Sequence, residues 1–321
     1  MSKNCEIKIQ FNNNKRSYIT GEKVSGNDIF TANETFDCRK LEITYQWSTH
    51  GKGNVSKQII DTCIDPPGRL IAGREYKVPF SFTVSHYPIT YHGEYVNVDH
   101  CIHARADVAW KIDPTAFEEF LVGPGNGCTA AYTDKSKVPS KMTGKQGVFI
   151  GYLIFFVVII AFLFLMLPFA IIGILIFAIY KFKQYLVKKK LGNIVVNFPN
   201  KPVSRGETIP VTITFTPEDN FIISKIACTL ECEELAVSGS GTNKTTHKKA
   251  VVKLESATAE NYAVERKKSN SFTLTLTIPQ DAPYSFDILD NHVNWNYSLY
   301  VHIPSWPDYR KNFKVLVFPK E

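Results

Sequence analysis

Residues 147–180 form a run of 34 positions without a single Asp, Glu, Lys, Arg, His, Asn or Gln. A stretch so long and so apolar reads as a membrane segment rather than a core helix, and no other feature restricts the fold as strongly. It lies mid-chain, which does not suit a cleaved leader, and the opening MSKNCEIKIQ has no apolar block of its own. As one straight helix the run would be ~51 Å long, against a hydrocarbon core of about 30 Å. Pro168 falls inside it and Gly173 follows closely. These features predict two legs joined near Leu167-Pro168-Phe169, a hairpin with Pro168 and Gly173 at its turn and both ends on the cytoplasmic side. The rival is a single span from Val148 to about Pro168, followed by a kinked or interfacial stretch.

The formal charge of +7 is concentrated beside this run. Residues 1–133 carry a net −1 and residues 191–321 are neutral. Residues 134–146 carry +3 through Lys135, Lys137, Lys141 and Lys145 against Asp134, and residues 181–190 carry +5 through Lys181, Lys183, Lys188, Lys189 and Lys190. A nucleic-acid binder would instead show a basic face on a folded domain, so no nucleic-acid partner is expected. Lysines in these places are expected to meet the headgroups of an anionic leaflet, each adding roughly 1 kcal/mol of attraction.

The two remaining parts read as β. Residues 6–11, 41–47, 78–84 and 102–110 alternate polar and apolar with period two, and so do 211–215, 272–278 and 295–303. Turn signals stand between the first four, at residues 12–14, 25–28, 50–54 and 65–68. Many short alternating strands predict antiparallel sandwiches. The parts also resemble each other: a shift of 185 places Gly21-Glu22 on Gly206-Glu207, Val24 on Ile209 and Leu41 on Ile226. The expected organisation is an N-terminal sandwich over 1–133, a basic linker over 134–146, a membrane hairpin over 147–187, a second basic linker over 188–192 and a C-terminal sandwich over 193–321. The expected class is therefore all-β, with two immunoglobulin-like sandwiches flanking a transmembrane helical segment.

Several of these residues resemble the arrestin family. Tyr18-Ile19-Thr20-Gly21-Glu22-Lys23-Val24-Ser25-Gly26 is similar to the family's opening turn and strand, and Tyr76-Lys77-Val78-Pro79-Phe80-Ser81-Phe82 to its Pro-Phe-x-Phe strand. Val203-Ser204-Arg205-Gly206-Glu207-Thr208-Ile209 resembles the start of the family's second domain. The resemblance implies two sandwiches packed against each other and a non-catalytic role as adaptor or scaffold for an unidentified protein partner or cargo, in trafficking or signalling. With the apolar run it implies an integral membrane protein whose sandwiches face the cytoplasm. The only Pro-Pro, Pro66-Pro67, is not followed by the Pro-Pro-x-Tyr pattern of the ubiquitin-ligase adaptors, so that activity does not carry over. The alternative is a bitopic receptor or sensor with one sandwich on each side of a bilayer.

No enzyme signature stands out. There is no Gly-x-Ser-x-Gly elbow, P-loop or His-Glu-x-x-His, and no cofactor is expected. His86, His92, His100, Cys101 and His103 crowd together without zinc spacing and read as strand or turn residues, with no metal site. Cys228 and Cys232 read as small core residues, and Glu231, Glu233 and Glu234 as a solvated run. Seven irregularly spaced cysteines suit reduced thiols better than a disulfide framework.

Overall fold

Alternating sequence becomes alternating burial throughout both halves. The computed structural model describes residues 4–125, 152–199 and 201–318, with helix side chains described from residue 171. The first half contains β1 (Cys5–Phe11), β2 (Ser17–Ile19), β3 (Lys23–Ala32), β4 (Phe36–Gly51), β5 (Lys57–Asp65), β6 (Gly68–Leu70), β7 (Glu75–Thr83), β8 (Tyr91–His92), β9 (Val96–Val108) and β10 (Thr115–Gly123). One sheet runs β1-β3-β7 and the other β2-β10-β9-β4-β5, with β6 on β4 and β8 on β9. Their facing sides bury Phe30, Leu41, Ile43, Tyr45 and Ile102 completely. This is the two-layer solution for sheets that are apolar on one side.

The second half repeats that plan. Its strands are β11 (Asn193–Asn197), β12 (Val203–Ser204), β13 (Thr208–Thr216), β14 (Phe221–Ser238), β15 (Thr245–Val264), β16 (Asn270–Thr277), β17 (Phe286–Ile288), β18 (Asn291–His302), β19 (Tyr309–Val315) and β20 (Val317–Phe318). The order β11-β13-β16 mirrors β1-β3-β7, and β15-β14-β18 mirrors β5-β4-β9. A parallel pair joins β12 to β20, as β10 joins β2.

The shift of 185 is visible at atomic level. Gly21 and Gly206 both adopt positive φ, at 83° and 76°, a conformation open to a residue without Cβ. In each copy the next residue's carboxylate turns back on the turn: Glu22 accepts from the Ile19 N–H at 3.1 Å and Glu207 from the Ser204 N–H at 3.0 Å. The strand that follows is tied identically, by Gly21 N–H to the Val84 carbonyl and Gly206 N–H to the Ile278 carbonyl. Gly-Glu therefore marks the same reversal twice.

Two sequence expectations fail here. Residues 25–28 were expected to turn, but they run straight through β3. Their inward positions are Gly26 and Asp28, alongside Val24 and Phe30. The second correction concerns the apolar run. Helix α1 (Tyr152–Leu191) passes through Leu167-Pro168-Phe169 without a break, so no hairpin turn forms there. No helix among the described residues is long and apolar enough to cross a membrane. That finding runs against the transmembrane segment expected between the sandwiches and against integral membrane placement. The helix instead ends inside the fold: Val187 and Leu191 are buried in the core of the second sandwich.

Asp28 carries a measurable consequence. It is fully buried, neither carboxylate oxygen has a hydrogen-bond partner, and burial pushes its pKa up to about 7. Below the unfolded pKa, near 3.8, the group is neutral in both states and costs nothing electrostatically. As pH rises toward 7 the unfolded chain ionises first, so stability is lost across this window and the loss is complete above it. Asp28→Asn is expected to gain on the wild type between pH 4 and pH 7, reaching on the order of 2–4 kcal/mol, and to level off above. Urea unfolding at several pH values checks this; parallel curves would contradict it.

Candidate functional site

The chain's most concentrated polar chemistry lies where the two sandwiches meet. Trp47, Val96 and Val98 of the first sandwich are buried in the same apolar cluster as the second sandwich's core. Around this shared core, residues 49–56 and 87–95 of the first sandwich reach β14, β17 and β18 of the second.

Glu234 is the centre of this junction. On β14 the buried face is taken by Ile226, Cys228, Leu230, Cys232, Glu234 and Ala236, so a carboxylate stands where the alternation would put an apolar side chain. It is fully buried. Tyr91 Oη donates to its Oε1 at 2.5 Å, the Glu94 N–H donates to the same oxygen at 3.2 Å, and the Tyr95 N–H donates to Oε2 at 2.6 Å. All three donors belong to the other sandwich. Burial, followed by the bond to Glu234, holds the Tyr91 phenol above its ordinary pKa. Gly93 is required for the approach, because a Cβ there would run into the Glu234 carboxylate and the Tyr91 ring.

A second contact lies beside it. Asn291, fully buried, donates through Nδ2 to Thr49 Oγ1 at 3.1 Å and to the Asn54 carbonyl at 2.8 Å. Asn54 in turn donates through Nδ2 to Asp290 Oδ2 at 2.8 Å and accepts from the Gly239 N–H at 3.0 Å. Tyr87 Oη both donates to the Asp287 carbonyl and accepts from the Asp287 N–H. A cleft of about 880 Å³ opens next to the Glu234 contact, walled by residues 90–94, by Lys249–Lys253 of β15, and by Arg205 and the turn at 279–283.

The residues singled out from sequence fall elsewhere. Lys135, Lys137, Lys141 and Lys145 lie outside the described residues. Pro168 is within α1, and Gly173 has open space around its Cα. Lys181, Lys183, Lys188 and Lys189 are exposed on that helix. Lys190 differs: its side chain is 13% exposed, pairs with Asp219 at 3.3 Å and lies over Phe221 and Trp306. It is part of the helix's seat on the second sandwich.

The histidine cluster is dispersed. His100 is buried against Tyr45, with Nδ1 and Oη 2.9 Å apart, and burial lowers its pKa to about 4. His92 and His50 flank opposite oxygens of Asp99 on the outer face. Among the described residues no group of three or more His, Cys, Asp or Glu is arranged to hold a metal ion. The six described cysteines are free, and Cys228 and Cys232 are buried.

Glu231 and Glu233 are half-buried on the opposite face of β14, where Glu233 pairs with Lys248. Glu234 was missed because its donors lie some 140 residues away in sequence. The available signal was its inward register in an otherwise apolar row. No protein-family model matches the chain, and no curated protein matches it.

The junction makes a direct prediction. Glu234→Ala leaves two N–H groups and one phenol without their acceptor, and is expected to cost at least about 2 kcal/mol. Glu234→Gln, which keeps one carbonyl acceptor but replaces the other oxygen with a donor, should fall between. Calorimetry is expected to show one unfolding transition for the wild type and two separated transitions for Glu234→Ala. An unchanged single transition at unchanged temperature would count against the junction's role.

Proposed function

We propose that this chain is a non-catalytic, arrestin-like scaffold or adaptor that binds protein partners with both sandwiches held as one unit. The observation that carries this reading is the shared junction: two sandwiches of the same topology are fused by a common core and buried hydrogen bonds. A rigid pair of this kind presents long sheet edges and outer faces in fixed relative positions, which suits recognition of extended or composite surfaces. Support also comes from the Gly-Glu turns and the Pro-Phe-x-Phe strand that resemble arrestins. The receptor alternative requires the sandwiches on opposite sides of a bilayer, and the direct contacts between them do not favour it.

Cross-linked capture with the full chain tests the scaffold reading. Partners should be recovered with the wild type and reduced several-fold with Glu234→Ala, while the outer-face substitution Glu233→Gln changes nothing. Recovery that ignores the state of the junction would overturn the reading of a single recognition unit.

A second observation favours a lipid surface as an additional partner. Ile171, Ile172, Ile174, Leu175, Ile176, Phe177 and Ile179 are all at least half exposed on α1 and run into exposed Lys181, Lys183, Lys188 and Lys189. The exposed apolar side chains surround α1 and do not form one stripe, so it is the lysines beside them that suit contact with an anionic surface. Flotation with phosphatidylserine-rich vesicles should show salt-sensitive binding that drops when these four lysines become Gln. Equal binding to neutral vesicles, or none to anionic ones, would refute the assignment.

A further inference from the structure

We infer that the cleft between the sandwiches receives an acidic side chain of an extended peptide, with Arg205 as the group that binds its carboxylate. The inference rests on the scaffold reading and specifies the partner's chemistry at one place.

The charges around the cleft are unequal in what they have already bonded. Glu234 already accepts from Tyr91 and two backbone N–H groups. Glu94 pairs with Lys249 at 3.0 Å, and Lys253 with Glu255 at 3.1 Å. Asp281, also on the cleft wall, has no ion pair among the described residues, and neither has Arg205. Its guanidinium lies 3.6 Å from the centre of the Tyr284 ring, which fixes the plane of the fork. Its Nε is buried and has no hydrogen-bond acceptor, and among the described residues no carboxylate stands within ion-pair distance of it. Nε is covered by protein, so a ligand in the cleft meets the Nη end of the guanidinium, where the two oxygens of a carboxylate match two parallel N–H donors.

The rest of the wall favours a peptide over a small anion. Among the described residues β15 pairs with β14 alone, so the backbone of Lys249–Lys253 presents an open edge to the cleft. The pairing skips Val251, since Cys232 faces Val252 and Glu233 faces Ala250, which marks a bulge at the cleft. Val251, 42% exposed, stands with Tyr91, Pro279, Ala282 and Pro283 as apolar lining beside the cationic group. An extended segment with Glu or Asp between apolar residues is complementary to an arginine set among such residues at a strand edge.

The test uses the purified full chain and fluorescence anisotropy with three sets of blocked heptapeptides. All have apolar flanks; the central residue is Glu, Gln or phosphoserine. Binding is expected for the Glu set, with a loss of about tenfold or more for the Gln set and for Arg205→Gln. Arg205→Lys, which keeps charge but not the fork, should recover only part of it. Lys267→Gln, away from the cleft, should leave it unchanged, and thermal melting confirms that each variant is folded. Equal binding of Glu and Gln sets, no binding of either, or indifference to Arg205→Gln overturns the proposal. Preference for the phosphoserine set also overturns it and assigns the cleft to phosphopeptides. Partner capture that depends on Glu234 but survives Arg205→Gln would refute this site and leave the scaffold reading standing.

Discussion

A buried carboxylate with both oxygens bonded by the opposite domain is the constraint on which the two-sandwich arrangement depends. Glu234 occupies a core register on β14, and only donors from the other sandwich satisfy it. Separating the domains would leave that charge partly desolvated and unbonded, which is strongly unfavourable. Apolar contact through Trp47, Val96 and Val98 supplies area, but area alone does not fix an angle. Directional bonds at Glu234, Asn291, Asn54 and Tyr87 do. The same geometry produces the cleft, because residues 90–94 form both the Glu234 cradle and one cleft wall.

The duplicated turns show how little sequence a repeat needs to retain. Between the copies the strand residues have diverged, but Gly with positive φ followed by Glu persists, because the reversal needs a residue without Cβ and its free N–H needs an acceptor. Around that turn the sheet orders match strand for strand. Duplication followed by divergence accounts for two domains with one plan and different surfaces: the first holds an unpartnered Asp28 carboxylate in its core, the second an Arg205 whose Nε has no acceptor beside the cleft.

Much of the strand pattern was legible in the sequence, because period-two alternation reports directly which face a sheet buries. Residues 41–47 and 295–303 lie wholly or almost wholly within β4 and β18 for that reason. Residues 25–28 misled because small and polar letters imitate a turn; their true state depends on β1 and β7 on either side. The long apolar run misled differently. Composition reports a helix's affinity for apolar surroundings but not where the helix docks: residues 171–180 stay exposed, and it is Val187, Lys190 and Leu191, beyond the run, that seat the helix end on the second sandwich. The junction was illegible for a third reason. Glu234 and its donors are joined only by tertiary pairing, and a run of acids in isolation looks solvated.

Hydrogen exchange at the junction tests the central claim most directly, on the unmodified chain. The Glu94 and Tyr95 amides lie outside any regular strand, so their protection depends on Glu234. The account predicts that both exchange as slowly as amides in β9 of the same sandwich, and that the Asn54 and Gly239 amides are protected with them. Exchange of all four at the rate of open loops, with β9 still protected, would contradict it.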